Sequence, residues 1–180
     1  VTADALKLAA STVTGKLVAT AGTGAITQTG VLNLGADGNS FTTAAGQAIT
    51  LTSANVLNGK TVALASAGDV NLNADALKFA ASTIGGKLVA TASTGAITQN
   101  GALNLGADGN SFTTSTANQT ITLTSANVFN GKSVALNTSG SGNAGLTGDA
   151  LKFGSSSIGG KLTAIASGGG ISQSGALSIG

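Results

Sequence analysis

Residues 49–64 read ITLTSANVLNGKTVAL, and their pattern indicates the class of fold. Apolar and polar residues alternate in it with a period of two, which is typical of β-strands rather than helices. Small polar residues and glycine break the alternation and indicate turns. The stretch therefore predicts three short strands, centred on the apolar pairs Ile49/Leu51, Val56/Leu57 and Val62/Leu64.

The same pattern recurs along the chain. Residues 3–43 align with residues 74–114 at an offset of 71, and 35 of these 41 positions are identical. ITLTSANV returns at 121, GKLVATA occurs at 15 and 86, and GKLTAIA follows at 160. We expect residues 1–180 to form one segment, with repeats at approximately 3–73, 74–147 and, in part, 148–180. The sequence stops in mid-pattern, which predicts a window of a longer chain.

A shorter period lies inside the long repeat. Apolar anchors after a turn are spaced 21 to 27 residues apart, at Ile26, Ile49, Val70, Ile97, Ile121, Leu146 and Ile171. Three short strands in each unit of about 24 residues predict an all-β fold, a right-handed parallel β-helix (β-solenoid) of about seven coils. An antiparallel β-sandwich is the alternative, but near-identical copies would not supply its distinct core positions. Four phenylalanines are predicted to fill the core: Phe41, Phe79, Phe112 and Phe153.

The composition excludes several kinds of chemistry. Every basic residue is Lys, every acidic residue is Asp, and His and Cys are absent. Thiol chemistry and a histidine-based catalytic triad are therefore excluded, and we expect no transition-metal site, no enzyme and no cofactor. A net charge of +2 and 8% charged residues argue against a nucleic-acid partner. No run of 18 apolar residues occurs, so no membrane insertion is expected.

The outward positions of the first strand in each unit suggest one ligand-facing surface. They carry hydroxyl or amide side chains, which could hydrogen-bond cell-surface glycans or ice, although threonine and asparagine are also ordinary outward residues on strands. The candidate ladder consists of Thr27, Thr29, Thr50, Thr52, Asn71, Asn73, Thr98, Asn100, Thr122 and Thr124.

Other polar residues are weaker candidates. Asp69, Asn71, Asn73 and Asp75 alternate along one coil and could offer oxygen ligands to Ca²⁺, but ligands along an extended strand diverge, so a solvated face is preferred. Gln28, Gln99 and Gln173 are expected to point inward near a turn and to satisfy backbone groups there. Lysines that follow glycine at one type of turn predict solubility or weak attraction to anionic surfaces: Lys16, Lys60, Lys87, Lys132 and Lys161.

Three heptapeptides carry a family resemblance. GAITQTG at 24, GAITQNG at 95 and GGISQSG at 169 precede VLNLG, ALNLG and ALSIG. In this the chain closely resembles the repeats of filamentous haemagglutinin-like exoproteins, large bacterial surface adhesins of two-partner secretion. The resemblance implies a right-handed β-helix, export to the bacterial cell surface, and a role in attachment, aggregation or biofilm formation. It implies no catalytic residue.

The function expected from the sequence is the structural shaft of an extracellular adhesin or surface filament. The partners expected are further copies of the chain, end to end or laterally, with cell-surface glycans as a second candidate. Three alternatives stand beside it: a fibre subunit that stacks end to end, a β-helix enzyme that degrades polysaccharides, and an ice-binding solenoid.

Overall fold

The computed structural model describes residues 1–180, which form 24 β-strands and no helix. The strands in chain order are β1 (Thr2–Ala3), β2 (Leu6–Leu8), β3 (Ser11–Val13), β4 (Val18–Ala21), β5 (Ile26–Gln28), β6 (Leu32–Leu34), β7 (Asn39–Thr43), β8 (Ile49–Asn55), β9 (Thr61–Ser66), β10 (Val70–Ala74), β11 (Leu77–Phe79), β12 (Ser82–Ile84), β13 (Leu88–Ala92), β14 (Ile97–Gln99), β15 (Leu103–Leu105), β16 (Asn110–Thr114), β17 (Ile121–Asn127), β18 (Ser133–Asn137), β19 (Ala144–Gly148), β20 (Leu151–Phe153), β21 (Ser156–Ile158), β22 (Leu162–Ala166), β23 (Ile171–Gln173) and β24 (Leu177–Ile179). The structure contains no apolar helix of membrane-spanning length.

The strands form a parallel β-solenoid, which confirms the predicted fold class. The first sheet has the order β1-β4-β7-β9-β11-β14-β17-β19-β22, with β12 and β15 attached. The second has the order β2-β5-β8-β10-β13-β16-β18-β20-β23, with β21 and β24 attached, and β3 pairs with β6 in a small third sheet. Each main path has nine strands, which we number as levels 1 (β1 and β2) to 9 (β22 and β23).

The coils are shorter and more numerous than the sequence suggested. Paired residues are 17 to 24 positions apart, and there are about eight turns of about 21 residues rather than seven of 24. The error arose from the apolar anchors, because Val70 pairs with Leu88 on the second sheet, whereas Ile97 pairs with Leu77 on the first. The 27 residues from Val70 to Ile97 therefore cover one and a half turns, not one.

Each long repeat advances the solenoid by a half-integral number of turns. Leu6 lies on the second sheet, and its equivalent in the next repeat, Leu77, lies on the first. Leu151, the third equivalent, lies on the second sheet again. The chain crosses between the sheets seven times in each repeat, which is three and a half turns or about 17 Å of rise. Successive repeats therefore present equivalent residues on opposite sides of the core.

The core is one continuous cluster of 35 buried hydrophobic residues between the sheets. All four phenylalanines predicted to fill it are buried, as is Phe129. Phe79 from the first sheet and Phe112 from the second meet edge to face, with ring centroids 6.2 Å apart. Such pairs add about 1 kcal/mol to the free energy gained by burying their area.

Asn-Gly pairs turn the chain between the sheets at equivalent places in two repeats. Asn58 and Gly59 both have positive φ, 50° and 67°, as do Asn130 and Gly131 at 54° and 68°. Asparagine and glycine tolerate this left-handed backbone, and positive φ at both central residues defines a type I′ turn. The N–H of Lys60 closes the first turn by donating to the carbonyl oxygen of Leu57 at 2.8 Å.

Candidate functional site

The single polar ladder predicted from the sequence is divided between the two sheets. On the second sheet, Thr27 pairs with Thr50, and Thr50 pairs with Asn71. Thr98 lies on the first sheet opposite Lys78, and Thr122 follows it one level further along on β17. The prediction of one continuous ladder is wrong, because the half turn between repeats moves Thr98 and Thr122 to the other side of the core.

The remaining candidates of the predicted ladder do not extend it. Thr29 and Asn100 lie just after β5 and β14, at bends, and both are exposed. Thr52 and Thr124 are exposed on β8 and β17. Asn73 is half-buried on β10, and its Nδ2 donates to the carbonyl oxygen of Thr52 at 3.4 Å.

The structure forms two other rows, polar at every position except Ala65, and the predicted ladder included only Asn73 of their members. Each runs over six consecutive levels, one pairing per level. The first-sheet row consists of Thr2, Thr20, Thr42, Ala65, Thr83 and Asn104. The second-sheet row consists of Asn73, Thr91, Thr113, Asn137, Ser157 and Ser178.

The two rows are copies of one another. Thr20 and Thr91 are equivalent in the alignment of repeats, and so are Thr42 and Thr113, at the offset of 71. The later members follow the offsets of 72 and 74 that the small insertions produce. The alignment could have identified the rows if the half turn had been known. The rod consequently displays one hydroxyl- and amide-bearing row on each side.

The carboxylates hold neighbouring coils together instead of converging on a site. Asp69 accepts a hydrogen bond from the N–H of Lys87, in the following coil, at 3.0 Å. Asp75 accepts one from the N–H of Leu57, in the preceding coil, at 2.7 Å. The two carboxylates among the four residues considered for Ca²⁺ therefore face opposite directions along the rod. No group of three or more His, Cys, Asp or Glu residues could hold a metal ion.

Backbone N–H donors lower the pKa of three other carboxyl groups, those of Asp37, Asp108 and Asp149. The N–H of Thr61 holds the pKa of Asp37 below its ordinary value of 3.8, and the N–H of Ser133 does the same for Asp108. Burial raises the pKa of Asp149, but hydrogen bonds from the N–H groups of Phe129, Ala150 and Asn130 outweigh it, and the net shift is downward. These carboxylates are ionised at neutral pH and accept hydrogen bonds at bends.

Glutamine and asparagine form a reciprocal amide pair inside two of the bends. Gln28 Nε2 donates to Asn55 Oδ1 at 2.8 Å, and Asn55 Nδ2 donates back to Gln28 Oε1 at 2.9 Å. Gln99 and Asn127 repeat the arrangement at 2.9 and 3.0 Å. Gln28 also donates to the carbonyl oxygen of Gly30 at 2.6 Å, so it satisfies a turn backbone group as expected. Each pair links two successive levels.

Successive lysines of the Gly-Lys turns do not lie next to one another on adjacent coils. Lys60 precedes β9 of the first sheet, whereas Lys87 precedes β13 of the second, and Lys132 and Lys161 are separated in the same way. Lys87 Nζ lies 3.9 Å from Asp69, and both side chains are about half exposed. An exposed pair of this kind adds at most about 1 kcal/mol.

A shallow groove opens on the first sheet where a glycine replaces a larger residue. Gly145 occupies the position that Asn71 has in the preceding repeat. The groove beside it is lined by Thr122, Thr124 and Thr163, with Asn143 and Lys161 at its side. It is open to solvent and carries hydroxyl groups, one amide and one ammonium group. The exposed lining is nevertheless mainly apolar, because the methyl and methylene groups of these side chains cover most of it.

The fold and its stacked rows define a parallel β-solenoid repeat protein. The family model described as Repeats of unknown function (DUF5649) matches residues 1–64, 67–136 and 141–180. These segments cover nearly the whole chain, and the chain belongs to this family of repeats. No curated protein matches the chain, and no solved structure matches it.

Proposed function

We propose that the chain is part of the structural shaft of an extracellular bacterial adhesin or surface filament, of the filamentous haemagglutinin-like kind. The observation that carries the proposal is the uninterrupted stacking of coils through backbone ladders on two sheets. A rod of this kind grows by about 4.8 Å per coil and holds whatever it carries at a distance from its base. The GAITQTG-type heptapeptides support the family assignment.

The use of polar side chains also favours a mechanical function. Five of the six aspartates accept hydrogen bonds from backbone N–H groups of a neighbouring coil: Asp37, Asp69, Asp75, Asp108 and Asp149. Asn39 and Asn110, both buried, bind backbone groups in coils on either side of their own. These carboxylates and buried amides are thus occupied in holding coils together.

Surface labelling of the source bacterium tests the location. Antibodies against residues 1–180 are applied to intact cells and to permeabilised cells, with a cytoplasmic enzyme as the control antigen. The shaft proposal expects labelling of intact cells that external protease removes. Labelling confined to permeabilised cells would contradict the proposal.

The size and shape of the native material test the architecture. A denaturing gel gives the mass of the native polypeptide, and negative-stain imaging gives its form. A chain of several hundred kilodaltons in thin rods agrees with an exoprotein shaft. Subunits of about the mass of this segment, 16.9 kDa, in long fibres would instead support a fibre that stacks end to end.

A further inference from the structure

The half-turn offset between repeats gives the rod two faces of the same kind. Val18, Ser40 and Ala63 point outward on the first sheet, and their equivalents on the second are Val89, Ser111 and Ala135. The polar rows follow the same rule. Most outward side chains on both sheets are Thr, Ser, Ala, Val, Asn or Gly. Because these side chains are short, another flat surface can approach the backbone of either face closely.

Charge is almost absent from these faces. All six aspartates and five of the eight lysines lie in bends between strands. The three lysines on strands are Lys7 and Lys152 on the second sheet and Lys78 on the first. They occupy one position of the repeat, so the half turn places them on alternate faces.

We propose that copies of this chain pack side by side, with the first sheet of one rod against the second sheet of the next. In parallel, level-matched rods, Lys78 at level 5 would face a stretch of the second sheet without lysine. Lys7 and Lys152, at levels 1 and 8, would be three to four levels away, about 14 to 19 Å. That exceeds the Debye length of about 8 Å at physiological ionic strength, so the lysines do not repel strongly. Packing of two first sheets in antiparallel rods would instead bring their Lys78 residues together at the centre.

The area available is sufficient for a weak contact. A five-residue strand is about 17 Å long and eight level spacings extend about 38 Å, so each face offers about 650 Å². Two faces would bury about 1,300 Å², near the lower end of the range for specific interfaces. Contact between unlike faces leaves a free face on each rod, which makes the assembly open-ended. The expected product is a flat array that strengthens as the number of repeats rises.

A complementation experiment in sedimentation velocity tests this packing. The first-sheet variant carries Thr42→Lys and Thr122→Lys, and the second-sheet variant carries the equivalent changes Thr113→Lys and Thr50→Lys. Ala45→Lys with Ser139→Lys adds the same charge at exposed bends and is the control. Far-UV circular dichroism checks that each variant keeps its strands.

If the rods pack in this way, the wild-type chain and the control will associate and sediment faster as concentration rises. Each face variant alone should stay monomeric over the same range, with the onset of association moved at least about tenfold in concentration. An equimolar mixture of the two face variants should form dimers and nothing larger, because each retains the face that the other has lost.

Three results would overturn the inference. They are a wild-type chain that stays monomeric, a face variant that dimerises alone through like faces, or a mixture that remains monomeric. If a face variant fails to fold, the pairs Thr20→Lys/Thr98→Lys and Thr91→Lys/Thr27→Lys test the same faces. The packing goes beyond the proposed shaft, since single unpaired rods in negative stain would refute it and leave the shaft intact.

Discussion

At the scale of single residues, buried side-chain amides join neighbouring coils by hydrogen bonds. Asn55 is 2% exposed, and its side chain makes hydrogen bonds to Gln28, to the N–H of Leu32 and to the carbonyl oxygen of Asn73. Asparagine has a donor and an acceptor group at the end of a short side chain, so it can bind the backbone of coils on both sides. The sequence indicated the turn but could not show these partners, because they are 18 to 27 residues distant.

Replacing Asn55 with leucine removes this network and leaves buried polar groups without partners. We expect the free energy of unfolding to fall by about 3 kcal/mol, measured by urea denaturation. Asn100→Leu is the matched control, because Asn100 is exposed, and it should change the value by less than about 0.5 kcal/mol. Equal losses in both variants would show that the buried amide has no special role.

Acid should weaken the rod through the aspartates at bends. The pKa values of Asp37, Asp108 and Asp149 are below their ordinary value of 3.8 in the folded chain, so the unfolded chain binds protons first as pH falls. Their contribution to stability is complete above about pH 5 and is lost as pH falls through 3.8 toward the lower folded values.

Melting temperatures from pH 7 to pH 2 test this dependence. The variant Asp37→Asn/Asp108→Asn/Asp149→Asn keeps an acceptor oxygen at each bend without a titrating group, as Asn143 already does in the position of Asp69. Its melting temperature should change less between pH 5 and pH 2 than that of the wild-type chain. An unchanged acid dependence would mean that other groups are responsible.

At the scale of strands and coils, two substitutions between repeats compensate one another. Leu57 and Ala74 correspond to Phe129 and Gly148, one repeat length further along the chain. A Cβ atom at Gly148 would lie 2.6 Å from the Phe129 ring, so the larger ring occupies the space that the missing methyl group leaves. Cores are packed closely enough for one methyl group to matter.

A double-mutant cycle measures this compensation. Gly148→Ala should cost about 1 to 3 kcal/mol through overpacking, and Phe129→Leu should cost about 1 to 2 kcal/mol through an unfilled space. The double variant restores the combination of the other repeat and should be more stable than the sum predicts by at least about 1 kcal/mol. Additive losses would contradict a direct contact between the two positions.

Stacking of coils can be tested with one residue type at equivalent positions. Ile97 is fully buried beneath β17, whereas Ile171, its equivalent on β23, is 54% exposed. Ile97→Ala should cost about 3 to 4 kcal/mol, and Ile171→Ala less than about 1 kcal/mol, in chemical denaturation of this chain. Similar costs would mean that neighbouring coils contribute little to burial.

At the scale of the whole molecule, the sequence predicted the class of fold but not which sheet each equivalent residue lies on. Period-two alternation and recurring turns were sufficient for a parallel β-solenoid, because near-identical repeats stack like on like. The sheet on which a repeat begins depends on the number of half turns in the preceding repeat. That number could not be counted from the sequence, because coils of 18 and 24 residues occur in the same chain. The polar ladder was misplaced for this reason, since Asn71 and Thr98 occupy similar sequence contexts but opposite sheets.

Spin labelling tests the half-turn offset most directly. The chain contains no cysteine, so Asn71→Cys can be combined with Val89→Cys in one variant and with Thr98→Cys in another, and nitroxides attached. Asn71 and Val89 are paired on neighbouring strands, about 5 Å apart, whereas Thr98 lies across the core. We predict strong dipolar broadening of the electron paramagnetic resonance spectrum for the Asn71/Val89 pair and none for the Asn71/Thr98 pair. Strong broadening for Asn71/Thr98 alone would contradict the half-turn offset and restore a single ladder on one face.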